Sequence, residues 1–447
     1  MLVLMNQTIG LSCLIFFLLL LYVTLTSVID SSGHSPELES SALKMKRPFS
    51  PTAPITCDRS HKDYDLCSIN GPTLLDPISA TFFLISPTDM NPPSFLMKTK
   101  PYPRKSDKEA MSRVKELTLT LNSPPPNVSC GVTHTSSAIV FSTGGYIENP
   151  YHQFMDGFLP LYITINFLLP DDHQDDVILV ITDYKDWWSR KYTELLAHFS
   201  RHPIIDMDNE TITHCFPSVS VGLITHGYSK VNPKLLPRPK TLIDFKFFLD
   251  HAYSQGDTDT TTYQIRQKSA RPRLLLMNRN AKVGRMILNL EEVVKTVEVI
   301  GFDVIIMEPT VDTSLLELFR LIQASHAMLG VHGAALTHFL FLRPGAVLMQ
   351  VVPIGTQENA DMCFGDPASV LGLQYLDYKV QYEESSLAER YAPDDLVMTN
   401  PEAFVEGKWK NMLVYMNQNL KVDIVKFRMF LEDAYKKAKI FMEEEVG

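Results

Sequence analysis

The chain has 447 residues, 45% apolar and 21% charged, which is enough for more than one domain and excludes wholesale disorder. A formal net charge of -10 excludes a surface built to neutralise phosphate backbones, so no nucleic acid is expected among its partners.

In chain order, the first feature is an almost wholly apolar run from Ile9 to Ile29, ahead of the first charged side chain, Asp30. A helix of about 21 residues rising about 1.5 Å each matches the hydrocarbon core of a bilayer. Residues 1–8 are then a short cytoplasmic tail and 9–29 a single-pass transmembrane anchor. A cleaved signal peptide is the alternative: Leu14–Leu21 resembles an apolar h-region and small Thr26 and Ser27 follow, but a basic n-region is missing. Residues 30–56, rich in Ser and Pro without an apolar period, read as a stem. From 57 to about 135 the chain reads as irregular, with a Pro124-Pro125-Pro126 turn.

From Ala138 a β/α rhythm begins. Strands are expected at Ala138–Ser142, Val177–Thr182 and Val219–Ile224, with helices from about Tyr151, where Pro160 should kink or end the element, and through Trp188–Phe199. The polar tract Ser254–Thr262 reads as a linker, which divides the chain into 57–262 and 263–447. The second part alternates strands Arg273–Met277, Asp303–Met307, Ala327–Val331 and Ala346–Val352 with helices Leu290–Val299, Ser314–Ala324 and about Ala334–Leu342. Ser314 and Glu317 have the spacing of a capping box. A charged amphipathic helix, Val422–Glu445, closes the chain, either packing back across the two halves or solvated. The fold class is therefore α/β, with two Rossmann-like domains behind an anchor and stem.

Five cysteines lie beyond the apolar run, Cys57, Cys67, Cys130, Cys215 and Cys363, together with sequons at Asn127 and Asn209. Both features favour a secretory lumen. Cys57 and Cys67, ten positions apart, are the natural local disulfide, and the odd count leaves at least one thiol free or paired between chains.

Three segments carry chemistry. In Gly330-Val331-His332-Gly333-Ala334-Ala335-Leu336-Thr337 an apolar strand ends at a histidine, a glycine turns the chain, and small residues open a helix whose free amides suit a nucleotide diphosphate. Arg279, Lys282 and Arg285 follow another strand and supply fixed positive charge where a leaving diphosphate needs it. In Gly144-Gly145-Tyr146…Asn149…His152…Asp156, the histidine and aspartate are four apart on a helix and share a face. Either could take the proton of an acceptor hydroxyl. Asp206-Met207-Asp208 is the rival signal, an Asp-x-Asp pair able to hold a metal diphosphate, but the adjoining sequon argues against it.

These segments, with Cys57…Tyr64-Asp65…Cys67, Cys215-Phe216-Pro217, Gly301-Phe302, Gln350…Pro353 and Glu383-Glu384-Ser385-Ser386-Leu387, resemble glycosyltransferase family 61, in particular its plant branch of xylan arabinosyl- and xylosyltransferases. The resemblance implies a Golgi type II membrane protein with a GT-B fold and an inverting mechanism. It implies a UDP-pentose donor held mainly by the C-terminal half and a xylan or related acceptor. No tightly bound cofactor and no divalent metal are implied, and an oligomer with itself or with other polysaccharide synthases is admitted. On this reading His152 and Asp156 are catalytic, and Arg279, Lys282, Arg285, His332, Gly333, Ala334 and Thr337 bind the donor. Asn149 and Glu384 are candidates for acceptor or donor contacts. Glu148, Gln153, His326, Ala335 and His338 depart from the family pattern and bear on donor or acceptor choice. An N-glycan core β-1,2-xylosyltransferase and a non-catalytic Golgi scaffold are the alternatives.

Overall fold

The computed structural model describes residues 53–85, 95–254, 270–279 and 284–445. The expected tail, anchor, most of the stem and linker, and Lys282 lie outside them. Among the described residues no helix is long and apolar enough to cross a membrane.

The segment expected to be irregular forms strands instead: β1 (Ile55–Asp58), β2 (Leu66–Ile69), β3 (Thr73–Asp76), β4 (Thr81–Leu84), β5 (Leu96–Thr99), β6 (Leu117–Thr120) and β7 (Val132–Thr133). They are only two to four residues each, too short to show a period in the sequence. Then come β8 (Ser137–Ser142), β9 (Val177–Thr182), β10 (Ile205–Asp206), β11 (His214–Phe216) and β12 (Val219–Val221). They build two six-stranded sheets, in the orders β1-β2-β12-β8-β9-β10 and β5-β6-β4-β3-β11-β7. In the first, β12, β8, β9 and β10 run parallel, and β1 and β2 extend the sheet antiparallel.

Alternation sorts the side chains of β8 and β9. Ile139, Phe141, Leu179 and Ile181 face a helical layer. Ala138, Val140, Ile178 and Val180 face the second sheet, packing on Leu75, Phe82, Leu117 and Leu119. A β-sheet thus covers the face that a doubly wound half would give to helices. Both extra sheet and first sheet are pinned by disulfides. Cys57–Cys67 joins directly opposed residues of β1 and β2, Cys130–Cys215 spans 85 positions, and Cys363 forms no disulfide among the described residues.

The second half is a parallel five-stranded sheet of β13 (Arg273–Met277), β14 (Asp303–Met307), β15 (Ala327–Val331), β16 (Val347–Val352) and β17 (Gln374–Lys379), in the order β14-β13-β15-β16-β17. β15 and β16 are buried throughout, as strands covered on both faces must be. Helices Leu290–Ile300 and Ile424–Glu444 cover one face through Val293, Val297, Phe427 and Leu431. Helix Leu315–Gln323 and the 3-10 helix Ala334–Phe341 cover the other. The closing helix therefore packs on this sheet.

One apolar core joins the halves. Phe154 meets Phe341 with ring centroids 6.0 Å apart, and Tyr253 meets Phe319 at 5.5 Å. Each such side chain contributes about 1.5–3 kcal/mol by leaving water.

Candidate functional site

The strand orders locate the site. In parallel sheets, ligands collect at the carboxyl ends of strands where the order reverses. In the second half that point lies between β13 and β15, so Arg279 and Arg285, which follow β13, stand beside His332 and Gly333, which follow β15. In the first half it lies between β8 and β12, and His152 follows β8.

Asn149 caps the short helix Pro150–His152, its carboxamide oxygen accepting from the Tyr151 amide at 2.9 Å. The chain then widens into a π turn, Gln153–Phe158, before the α-helix Leu159–Leu168. The turn explains how the helical run continues through Pro160 rather than ending there. It opens the ladder where a proline ring would strike the preceding carbonyl, and Pro160 sits in the first turn of the next helix.

Asp156 is buried and saturated. Arg104 grips it with Nε on Oδ2 at 2.9 Å and Nη2 on Oδ1 at 3.0 Å, the Tyr102 hydroxyl donates to Oδ2 at 3.0 Å, and His152 Nδ1 donates to Oδ2 at 2.7 Å. Burial pushes the carboxyl up, but hydrogen bonds from His152 and the Arg104 charge outweigh it and hold the group below the usual carboxylate range. Asp156 is thus ionised and fully engaged, which suits it to orienting His152 and unsuits it to taking a proton. Arg104 Nη2 also approaches His152 Nδ1 at 3.2 Å, but it already donates to Asp156 Oδ1. The shorter contact from Nδ1 to the ionised carboxylate, which can only accept, favours the proton on Nδ1; the lone pair of His152 then lies on Nε2, which no hydrogen bond to another described residue engages. The rings of Tyr146 and Tyr151 flank it, 4.9 and 5.6 Å away. Gly145, at φ +60°, lets the Tyr102 ring lie where a Cβ would be.

On the facing side, Gly333 has φ +151° and the Arg279 guanidinium occupies the position of its missing Cβ, with Arg285 Nη1 close by. Arg279 Nε donates to the Gly284 carbonyl at 3.1 Å, and Arg285 Nη1 to the His332 carbonyl at 3.1 Å. Burial and the neighbouring Arg279 charge hold the Arg285 guanidinium down to about 9, the mark of two cations crowded together. Arg285 itself has φ +57°, an uncommon conformation fixed by its amide donating to the Gln418 carbonyl at 2.8 Å.

His332 is buried and neutral, held down to about 3 by burial and then by the Arg285 and Arg279 charges. Gln350 Nε2 donates to its Nδ1 at 2.8 Å, and the Tyr375 hydroxyl fixes Gln350 by donating to Oε1 at 2.7 Å. The imidazole proton therefore sits on Nε2, making His332 a donor. In the 3-10 helix the first bond runs from the Leu336 amide to the Gly333 carbonyl at 2.9 Å, so the Gly333, Ala334 and Ala335 amides precede it. The two half-sites meet through Phe364, whose ring lies 5.5 Å from His332 and 5.9 Å from Tyr151.

Other expected residues fall elsewhere. Thr337 is wholly buried behind the corner, its hydroxyl without a partner among the described residues. Glu384 is a buried carboxylate with a structural part, accepting from the Tyr378 hydroxyl at 2.6 Å and the amides of Gln381 and Asp423 at 2.7 and 2.6 Å. Asn127 and Asn209 are exposed. Asp206 and Asp208 serve a turn and an ion pair with Lys115, the first accepting from the Asp208 amide at 3.0 Å. Among the described residues no group of three or more His, Cys, Asp or Glu side chains is placed to hold a metal. Sequence reasoning missed Tyr102 and Arg104, which lie in the Lys100-Pro-Tyr-Pro-Arg104 stretch of the segment expected to be irregular. It also gave no role to Tyr375, because β17 was not expected. Only the Pro-flanked Tyr and Arg offered any signal.

A model of glycosyltransferase family 61 matches residues 151–349, which begin beside His152 and end within β16. The chain is 35% identical to the xylan glycosyltransferase MUCI21 of Arabidopsis thaliana, across 96% of this chain and 89% of that protein. It is 30% identical to the beta-1,2-xylosyltransferase XYXT1 of Oryza sativa subsp. japonica, across 86% of this chain and 84% of that protein. To the alpha-1,3-arabinosyltransferase XAT3 of the same organism it is 32% identical across 85% of its length, but spans 64% of that protein. The kinship is sufficient to assign the family: the chain belongs to glycosyltransferase family 61 and is a glycosyltransferase.

Proposed function

We propose that this enzyme moves a pentose, arabinofuranose or xylose, from a UDP-sugar to xylan with inversion, in a GT-B arrangement of two Rossmann-like domains, 57–262 and 263–447. The observation that carries this reading is the Asp156-oriented His152, set across Phe364 from the Arg279, Arg285 and Gly333 corner. His152 Nε2 removes the proton of an acceptor hydroxyl, whose oxygen attacks the anomeric carbon. The bond to the diphosphate breaks on the opposite side. The charge that develops on the leaving diphosphate meets two guanidiniums, the His332 Nε2 proton and the amides of Ala334 and Ala335. These donors carry the charge themselves, so the reading requires no divalent metal. The relatives named for xylan, arabinosyl and xylosyl transfer support the choice of pentose and acceptor.

The apolar run at 9–29, the exposed sequons and the disulfides support a type II Golgi membrane glycoprotein with its catalytic part in the lumen. The full chain assayed with xylo-oligosaccharides against a panel of UDP-pentoses and UDP-hexoses should transfer a pentose only. Transfer from a hexose donor alone, or none from any, would overturn this reading.

A further inference from the structure

A groove of about 310 Å³ opens between the halves, away from the groups assigned above. One wall carries Trp187, Arg190, Lys191 and Glu194, which recur at i, i+3, i+4 and i+7 on the helices Asp186–Lys191 and Thr193–Phe199 and so share a face. The other wall is the loop after β14, with Asp312 and Ser314. Lys191 Nζ ties the walls together by donating to the Thr310 and Val311 carbonyls at 2.9 and 3.4 Å.

The position of the groove follows from the sheets. The Trp187 wall follows β9, which neighbours β8, and the Asp312 wall follows β14, which neighbours β13. His152 and Arg279 follow β8 and β13. The groove therefore lies one strand outward from the reacting groups in both sheets, about 5 Å per strand along the same edge.

Its chemistry selects a ligand class. The two cations are matched by two carboxylates, which disfavours an anion such as a second diphosphate and equally disfavours a cation. Arg190, Glu194 and Asp312 are exposed and, among the described residues, enter no ion pair within 4.0 Å, although the Asp312 charge acts on Lys191. Trp187, half-buried against the core, brings an aromatic side chain to the groove beside them. Flat apolar faces ringed by hydroxyls that both donate and accept are the property of neutral sugar rings.

We propose that this groove binds a run of neutral sugar residues of the acceptor chain, beyond the residue whose hydroxyl meets His152. The proposal rests on the glycosyl transfer reading above and extends it by giving the enzyme a preference for long acceptors. The test compares xylohexaose with xylotriose on the full chain and on three variants, Trp187→Ala, Glu194→Gln and Asp312→Asn. The last two substitute exposed side chains, so a folding defect at Trp187 does not decide the outcome.

Binding of xylohexaose is read by calorimetry, which needs no turnover, and should weaken at least fivefold in each variant. KM for xylohexaose should rise by a similar factor, while KM for xylotriose and affinity for UDP stay unchanged. Undiminished xylohexaose binding in all three variants, or no binding to the unaltered chain, overturns the proposal. Loss of transfer with variant-sensitive binding intact would instead fault the assigned chemistry and leave the groove standing.

Discussion

A spacing of four leaves open whether His152 or Asp156 takes the proton in the proposed transfer, and the four donors on Asp156 support His152. Asp156→Asn would present a neutral amide to His152, disturb the tautomer and remove the charge that stabilises imidazolium. We expect kcat to fall about 10³–10⁴-fold with UDP affinity preserved, measured by steady-state kinetics and calorimetry. Arg104→Gln strands a buried carboxylate and should cost about 3–5 kcal/mol in denaturant unfolding. The histidines set a pH dependence. Burial first holds His332 down to about 3 and His338 to about 4, against an ordinary 6.5. Because the folded values are lowered, the unfolded chain takes up protons first as pH falls. The stability these two contribute is complete above about pH 6.5 and is lost progressively as pH falls toward about 4. The unfolding midpoint should therefore fall between pH 7 and 5, and His338→Gln should flatten the slope.

At the scale of elements, long buried strands and the glycine corner were legible because they obey strong local rules. Val177–Thr182 and Val347–Val352 are unbroken apolar runs, and Gly333 sits where a strand gives way to small residues. What escaped notice was built from short strands whose identity depends on partners distant in sequence, such as β3 paired with β11. Arg104 went unseen for the same reason, since only tertiary packing brings it 52 positions forward to Asp156. Thr337 and Glu384 stand next to motifs in the sequence, but the first is wholly buried and the second is engaged by the Tyr378 hydroxyl and two backbone amides. Gly333→Ala tests the corner directly. Its Cβ would occupy the place of the Arg279 guanidinium at a φ that side chains resist, so Arg279 must move. UDP affinity should drop about 10–100-fold on calorimetry while the far-ultraviolet circular dichroism spectrum is retained. The disulfides offer a second comparison. Loss of Cys130–Cys215, which closes 85 positions, should cost about 4–5 kcal/mol, and loss of Cys57–Cys67, which closes ten, less than about 3.

For the whole molecule, a division near residue 262 suggests two bodies that could unfold separately, yet the packing makes that division incomplete. Helices from both halves bury Phe154, Phe158, Tyr253, Phe319, Leu336 and Phe341 in one continuous cluster. Opening the halves would expose these side chains on both surfaces at about 1.5–3 kcal/mol each, more than a marginally stable domain can lose and remain folded. The described part of the chain should thus melt as one unit, with calorimetric and van't Hoff enthalpies equal. Phe341→Ala, which removes the ring shared by Phe154, Tyr253 and Phe319, should cost about 3–5 kcal/mol and lower that single transition without splitting it. Two resolved transitions, in either protein, would show that the halves are energetically separate and that the shared core contributes little. Saturating UDP, which the proposed site holds mainly through the second half, should then raise the whole transition by about 2.7 kcal/mol at a hundredfold excess over Kd, because in a single cooperative unit a ligand on one half stabilises both.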